Sequence, residues 1–103
     1  MGTDKDKQAS IEVFTPNGGE NLAVGEEYYI TWASTGINNV LIEYSTDNGD
    51  QWITIDTVSA LGGRYTWIVP DAPSETCLVR ITGNDSSGDT SDVSNTVFSI
   101  ISN

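Results

Sequence analysis

Length, composition and charge confine this chain to one acidic domain. Its 103 residues are enough to bury one hydrophobic core and too few to build two domains. The formal net charge is −11, and from Ser10 onward 13 acidic residues are balanced only by Arg64 and Arg80. A surface of that sign repels phosphate groups and anionic lipid heads, so we expect neither nucleic acid binding nor membrane insertion.

The residue types that most enzymes use are missing or unsuitably placed. The chain has no histidine, which excludes Ser–His and Cys–His catalytic pairs and the usual zinc sites. The one cysteine, Cys77, lies in an apolar run, where a small buried hydrophobe is expected rather than a reactive thiol. No long loop or aromatic cleft is available to raise the pKa of a carboxyl group for glycoside hydrolysis. The sequence therefore predicts that this protein is not an enzyme.

Taken in chain order, the sequence alternates short apolar strands with polar turns. Residues 1–9 are polar and are expected to form a disordered tail outside a single domain of residues 10–103. Alternation with a period of two predicts strands at 11–15, 27–33, 39–45, 52–56, 64–69, 76–83 and 95–101. No segment combines helical spacing with caps at both ends. This pattern predicts an all-β, seven-stranded antiparallel sandwich of the immunoglobulin or fibronectin III type.

One hairpin turn carries a recognisable motif. Residues 45–52, with the sequence STDNGDQW, match the pattern S-x-D-x-G-x-x-W. Asp47 is placed to accept backbone N–H groups, Gly49 can take a positive φ, and Trp52 can fold its ring over the corner. The motif predicts where two strands meet and gives these residues structural roles.

The aromatic residues separate into a core set and an exposed set. Trp32 and Trp67 fall in phase with core residues of their strands, which predicts a structural role in the core. Tyr29 falls out of that phase, and Trp52 lies at a hairpin. An exposed aromatic ring offers a flat apolar surface to a pyranose. If the protein binds carbohydrate, Tyr29 and Trp52 are therefore the candidates.

The polar segment at 84–92, NDSSGDTSD, is predicted to be a loop. Its residues Asp85, Asp89 and Asp92 offer the oxygen ligands that suit calcium. Their spacing does not match the calcium loop of an EF-hand, and Asp and Asn are also ordinary turn formers. We expect a plain loop and no required cofactor, with a calcium site at these three residues as the alternative.

Several motifs together carry a family resemblance. They are IEVFTPNGGE at 11–20, Gly25, ITW at 30–32, YSTDNGDQW at 44–52, GRYTWIVP at 63–70, CLVRI at 77–81, SD at 91–92 and FSI at 98–100. This series resembles the secreted "PNGGE" β-sandwich modules of bacterial and archaeal surface proteins and exoenzymes. It is similar in turn to the N-terminal immunoglobulin-like domain of fungal glucan-synthesis proteins and of Ser/Thr-rich GPI-anchored wall proteins.

The resemblance implies a location and a role rather than a reaction. Such modules are secreted or lie on the cell surface, and they accompany catalytic or adhesive domains in the same polypeptide. The expected function is therefore a non-catalytic accessory module that spaces, stabilises or attaches its neighbouring domains. A carbohydrate-binding module that contacts cell-wall or extracellular polysaccharide is the alternative. A calcium-stabilised adhesion module is the third reading.

Overall fold

The computed structural model describes residues 9–85 and 88–102, with the backbone alone at 84, 85, 88 and 89. Of the predicted tail, only Ala9 is therefore described. The described residues form strands and turns, and they contain no helix that could cross a membrane. In this part of the chain the strands are β1 (Ser10–Thr15), β2 (Asn21–Ala23), β3 (Glu27–Thr35), β4 (Asn39–Ser45), β5 (Ile53–Ser59), β6 (Arg64–Ile68), β7 (Ser74–Asp85), β8 (Gly88–Val93) and β9 (Phe98–Ile101).

The strands form two sheets in a sandwich-like arrangement. The smaller sheet has the order β1-β3-β6, and both of its strand pairs are antiparallel. The larger sheet has the order β2-β9-β7-β4-β5, and β8 pairs with β7. The predicted all-β fold class is confirmed.

The number and direction of the strands differ from the seven-stranded antiparallel prediction. The described residues form nine strands, and β2 pairs with β9 in parallel, so the larger sheet is mixed. The two additional strands are β2 and β8. β2 has only three residues, too few to show a period of two in the sequence. β8 occupies the segment predicted to be a loop, because pairing with β7 overrides the turn-like composition of 84–92.

The PNGGE motif, residues 16–20, carries the chain from one sheet to the other. β1 before it belongs to the smaller sheet, and β2 after it belongs to the larger sheet. The Glu20 carboxylate closes the turn by accepting the N–H groups of Asn17 and Gly18, at 2.8 and 2.7 Å. Gly18 has a φ of 145°, and a Cβ at this position would overlap the side chain of Thr96. The acid of the motif therefore closes the turn at the crossing, and the glycine leaves room for Thr96.

The core lies between the sheets and consists of alternate residues of the strands, with Ile37, Ala60 and Val69 added from the connections. Cys77 is fully buried there as a free thiol, as predicted, and burial raises its pKa. The buried apolar residues are Val13, Leu22, Ile30, Trp32, Ile37, Val40, Ile42, Ala60, Trp67, Val69, Cys77, Val79, Ile81, Phe98 and Ile100. Burial of this apolar surface is the main favourable contribution to folding.

The first and last strands begin and end at opposite ends of the sandwich. Ser10 pairs with Thr35, the last residue of β3, and a short connection leads from there to the start of β4. Ile100 pairs with Ser74, the first residue of β7. β7 runs antiparallel to β4, so the start of β7 lies at the end of β4 and away from the end of β3. The chain therefore enters β1 at one end of the sandwich and leaves β9 at the other.

The strands run along the long axis of the molecule. The principal dimensions are 56, 24 and 20 Å. β7 has 12 residues and, at about 3.3 Å per residue, spans roughly 40 Å, which only the longest dimension can accommodate. The entry and exit of the chain are thus separated along this axis.

Candidate functional site

The turn at residues 45–52 is held by its own side chains. Oδ1 of Asp47 accepts hydrogen bonds from the Gln51 N–H at 3.0 Å and from the Ser45 hydroxyl at 2.7 Å. The buried Ser45 oxygen accepts the N–H of Gly49 at 2.9 Å, and Gly49 has a φ of 94°. The pKa of Asp47 lies below its ordinary value, first because the Gln51 N–H and then because the Ser45 hydroxyl donates to the carboxylate. These contacts fix the corner beside Trp52.

Trp52 forms part of a stack on the outer face of the larger sheet. Arg80 alternates along β7 with buried residues, so it points outward, and its guanidinium carbon lies 4.2 Å from the centroid of the Trp52 ring. Arg80 Nε and Nη2 lie 3.0 and 2.9 Å from Oε1 of Glu43. The Glu43 side chain is only 12% exposed, so Arg80 pairs with a carboxylate that has lost most of its water. We call Trp52, Arg80 and Glu43 the closed face.

Tyr29 lies on the outer face of the smaller sheet and is 51% exposed. It pairs with Thr66 of β6, and Arg64 places its guanidinium carbon 4.6 Å from the centroid of the Tyr29 ring. Ile68, on the other side of Thr66, is 55% exposed and pairs with Glu27. We call Glu27, Tyr29, Arg64, Thr66 and Ile68 the open face.

The structure does not bring the two candidate sugar-binding aromatics together. Tyr29 and Trp52 lie on different sheets and face outward on opposite sides of the core. Each ring also carries an arginine on one of its faces, at Arg64 and Arg80 respectively. A stacking platform needs exposed rings in a row or groove, and this pair of residues does not form one.

The three candidate calcium ligands lie on a β-hairpin. Asp85 is the last residue of β7, and Asp89 and Asp92 belong to β8; the side chains of Asp85 and Asp89 lie outside the described atoms. Asp92 Oδ2 accepts the N–H of Val13 at 2.8 Å, which links β8 to β1. Among the side chains that are described, no three acidic or cysteine residues are placed to share a metal ion. Calcium binding at these three aspartates stays a prediction.

A depression of about 430 Å³ opens beside Asp92, where β1 approaches the end of β3. Its lining includes the carboxylates of Glu12 and Asp92, the hydroxyl groups of Ser34 and Thr35, and Asn95. Ligand pockets for organic molecules are mostly apolar, and this one is acidic and polar. Of the residues singled out in the sequence, only Asp92 belongs to it.

The other two tryptophans are buried in the core. Trp32 is 3% exposed, and its indole N–H has no hydrogen-bond partner among the described atoms. Trp67 is 4% exposed and packs between the rings of Tyr44 and Phe98, with ring centroids 5.4 and 6.5 Å away. In these positions neither indole ring can serve as a surface for a carbohydrate.

The two arginines and Glu43 are not among the residues that the sequence singles out as partners of the exposed aromatics. The alternation of apolar and polar residues does place Arg64 and Arg80 on the outward faces of their strands, where the exposed rings also lie. The partner of Arg80 could not be found this way. Glu43 faces Arg80 directly across the β4–β7 ladder, and that register is set by contacts far apart in the sequence.

Comparison with known proteins gives no assignment. No protein-family model matches the chain, and no curated protein matches its sequence. The evidence for a function is therefore the geometry of the two faces and of the two ends.

Proposed function

We propose that this chain is a non-catalytic, extracellular accessory module that spaces or attaches the neighbouring domains of a larger secreted or cell-surface protein. The observation that carries the proposal is the position of the first and last strands. The chain enters at Ser10 and leaves after Ile101, at opposite ends of a molecule 56 Å long. Domains joined at these two points are held apart along the long axis of the sandwich.

The proposal includes an immunoglobulin-like topology and membership of the PNGGE-type modules. Immunoglobulin-type sandwiches place strands A, B and E in one sheet and strands G, F and C in the other, with C′ beside C in some. If β1, β3 and β6 are assigned to A, B and E, then β9, β7, β4 and β5 follow the order G, F, C and C′. β2 is then the part of strand A that has crossed to the second sheet. The contacts of Glu20 and Gly18 at this crossing explain why the motif has an acid and a glycine at these positions.

The environment of the reactive groups supports a role other than catalysis. The largely buried carboxylate of Glu43 is paired with Arg80, and the carboxylate of Asp47 accepts hydrogen bonds from groups of its own turn. The thiol of Cys77 is buried and its pKa is raised, which disfavours the nucleophilic thiolate.

The exposure of Tyr29 favours a carbohydrate-binding module as the second candidate. Affinity electrophoresis against soluble glucans, chitin fragments and xylan distinguishes the two functions. We expect no retardation at protein concentrations where a Kd of about 1 mM would be detected. Retardation that Tyr29→Ala abolishes without a change in melting temperature would replace the spacer with the carbohydrate-binding module. Phe14→Ala, which removes another half-exposed aromatic ring, is the matched control.

A further inference from the structure

The outward edge of β6 carries unpaired backbone groups. Among the described strands, β6 pairs with β3 alone and ends the smaller sheet. The N–H of Trp32 donates to the carbonyl of Gly63, and the N–H of Val69 donates to the carbonyl of Glu26. The odd-numbered residues from 63 to 69 therefore bond to β3, since bonding alternates along an antiparallel strand.

The even-numbered residues of β6 are consequently directed away from the sheet. The N–H and C=O groups of Arg64, Thr66 and Ile68 point outward, and no side chain accepts from these N–H groups in the described part of the chain. Their side chains lie on the open face and are exposed. Such an edge is a template for pairing with another strand.

On the outer edges of β1 and β5, by contrast, carboxylates accept hydrogen bonds from backbone N–H groups. On β1, the outward N–H of Val13 is bonded to the carboxylate of Asp92 at 2.8 Å. On β5, the N–H of Thr57 is bonded to the carboxylate of Asp56 at 2.8 Å. Carboxylates placed on edge amides discourage pairing with a further chain. The only charged residue of β6 is Arg64, whose guanidinium lies over the Tyr29 ring and leaves the backbone edge uncovered.

We propose that β6 pairs in antiparallel fashion with β6 of a second copy of this chain, about a twofold axis at Thr66. This register sets Arg64 opposite the second copy's Ile68 and Thr66 opposite its counterpart. All three outward residues then fall at positions that exchange two backbone hydrogen bonds. A twofold pairing of this kind is closed, so it ends at a dimer rather than a fibre.

The charges and apolar groups of the open face are self-complementary in this register. Glu27 pairs with Ile68 within one copy, so Arg64 lies two strands, or about 10 Å, from the second copy's Glu27. The long side chain of Arg64 reaches this carboxylate by turning from the Tyr29 ring toward the second copy. The two arginines lie four residues apart, about 14 Å, which is beyond the screening length of about 8 Å at physiological salt. The half-exposed side chain of Ile68 lies on the pairing strand and loses water at the new junction.

The net charge of −11 on each copy opposes this association, so the dimer is expected to be weak. Sedimentation equilibrium from about 10 μM to about 1 mM, in 0.15 M salt, covers the range of a weak dimer. The weight-average mass should rise from 11.1 kDa toward twice that value. A mass that stays at that of the monomer over the whole range overturns the proposal.

Charge reversal and rescue test the register itself. Arg64→Glu places two acids across the junction and should weaken dimerisation by at least about tenfold. Adding Glu27→Arg to Arg64→Glu restores the opposite pair and should restore the dimer. Adding Glu12→Arg instead gives the chain the same net charge as the Glu27→Arg rescue. Because Glu12 lies on β1, at the opposite edge of the sheet from β6, this change should not restore the dimer.

Each outcome of this series decides the proposal. Both variants with Arg64→Glu lose the Arg64–Tyr29 contact, so a role confined to the monomer predicts no difference between the two rescues. Equal masses for the Glu27→Arg and Glu12→Arg rescues would therefore overturn the twofold register. Circular dichroism melting of each variant confirms that the compared chains are folded.

Discussion

The two outer faces of the sandwich contain the same pair of groups, an arginine and an aromatic ring, and use them differently. On the closed face, Trp52 covers Arg80, and Arg80 pairs with a Glu43 side chain that is 12% exposed. On the open face, Arg64 covers Tyr29, which stays 51% exposed. An arginine on a ring therefore contributes to stability where it also pairs with a desolvated charge. Where it does not, the ring remains available for contact.

The two faces should differ most in how much stability is lost when the aromatic ring is removed. Trp52→Ala should lower the free energy of unfolding by about 2–4 kcal/mol, because a half-buried ring and the cover over Arg80 are both lost. Tyr29→Ala should cost less than about 1 kcal/mol, because the ring is already half in water. Urea unfolding of the two variants measures both values. Equal losses would contradict the distinction between the faces.

The next largest difference is in the stability lost when each arginine is replaced by alanine. Arg80→Ala should cost about 1–3 kcal/mol, because the largely buried Glu43 carboxylate loses its partner. Arg64→Ala should cost less than about 0.5 kcal/mol, as is usual for an exposed group. Adding Glu43→Gln to Arg80→Ala removes the unpaired charge and should recover part of the loss. No recovery in urea unfolding would mean that Arg80 acts through packing alone.

Substitution of Gly49, in the hairpin beside the closed face, should lower stability by a smaller amount. A Cβ on Gly49 would be 3.6 Å from Leu78 and Trp52, which is ordinary contact, so the cost of substitution comes from the φ of 94°. Gly49→Val should cost about 1–2 kcal/mol, and Gly49→Asn less, because asparagine tolerates positive φ better. Thermal unfolding compares the two. A valine variant as stable as the asparagine variant would argue against backbone strain.

The smallest expected effect is the pH dependence due to Asp47. Its folded-state pKa lies below the ordinary 3.8, so its contribution to stability is present above pH 3.8 and is lost as the pH falls through the folded-state pKa. Asp47→Asn should flatten this part of the dependence of melting temperature on pH. If the melting temperature of the variant falls at low pH as much as that of the wild type, other carboxyl groups cause this fall.

Local chemistry explains which features of the fold could be predicted. The turn at 45–52 could be read from its sequence, because Asp47, Gly49 and Ser45 interact within a few residues of one another. The buried phase of Trp32 and Trp67 could be read from strand alternation. In both cases the information lies in one segment of the chain.

Long-range pairing explains what could not be predicted. The Pro, Asn and Gly residues of PNGGE are typical of a turn. That this turn crosses between the sheets depends on the pairing of β2 with β9, which lie nearly 80 residues apart in the sequence. The 84–92 segment has the composition of a loop and becomes part of a hairpin only through its register with β7. The positions of Tyr29 and Trp52 on opposite faces likewise follow from sheet order rather than from either local sequence.

Scattering by a tandem protein tests the central claim, the separation of neighbouring domains, most directly. Two copies of the chain joined head to tail, each with Arg64→Glu to prevent pairing through β6, are measured by small-angle X-ray scattering. The spacer account predicts a maximum dimension of about 110 Å, twice the 56 Å length of one copy. A maximum dimension close to 56 Å, with the copies folded side by side, would contradict it.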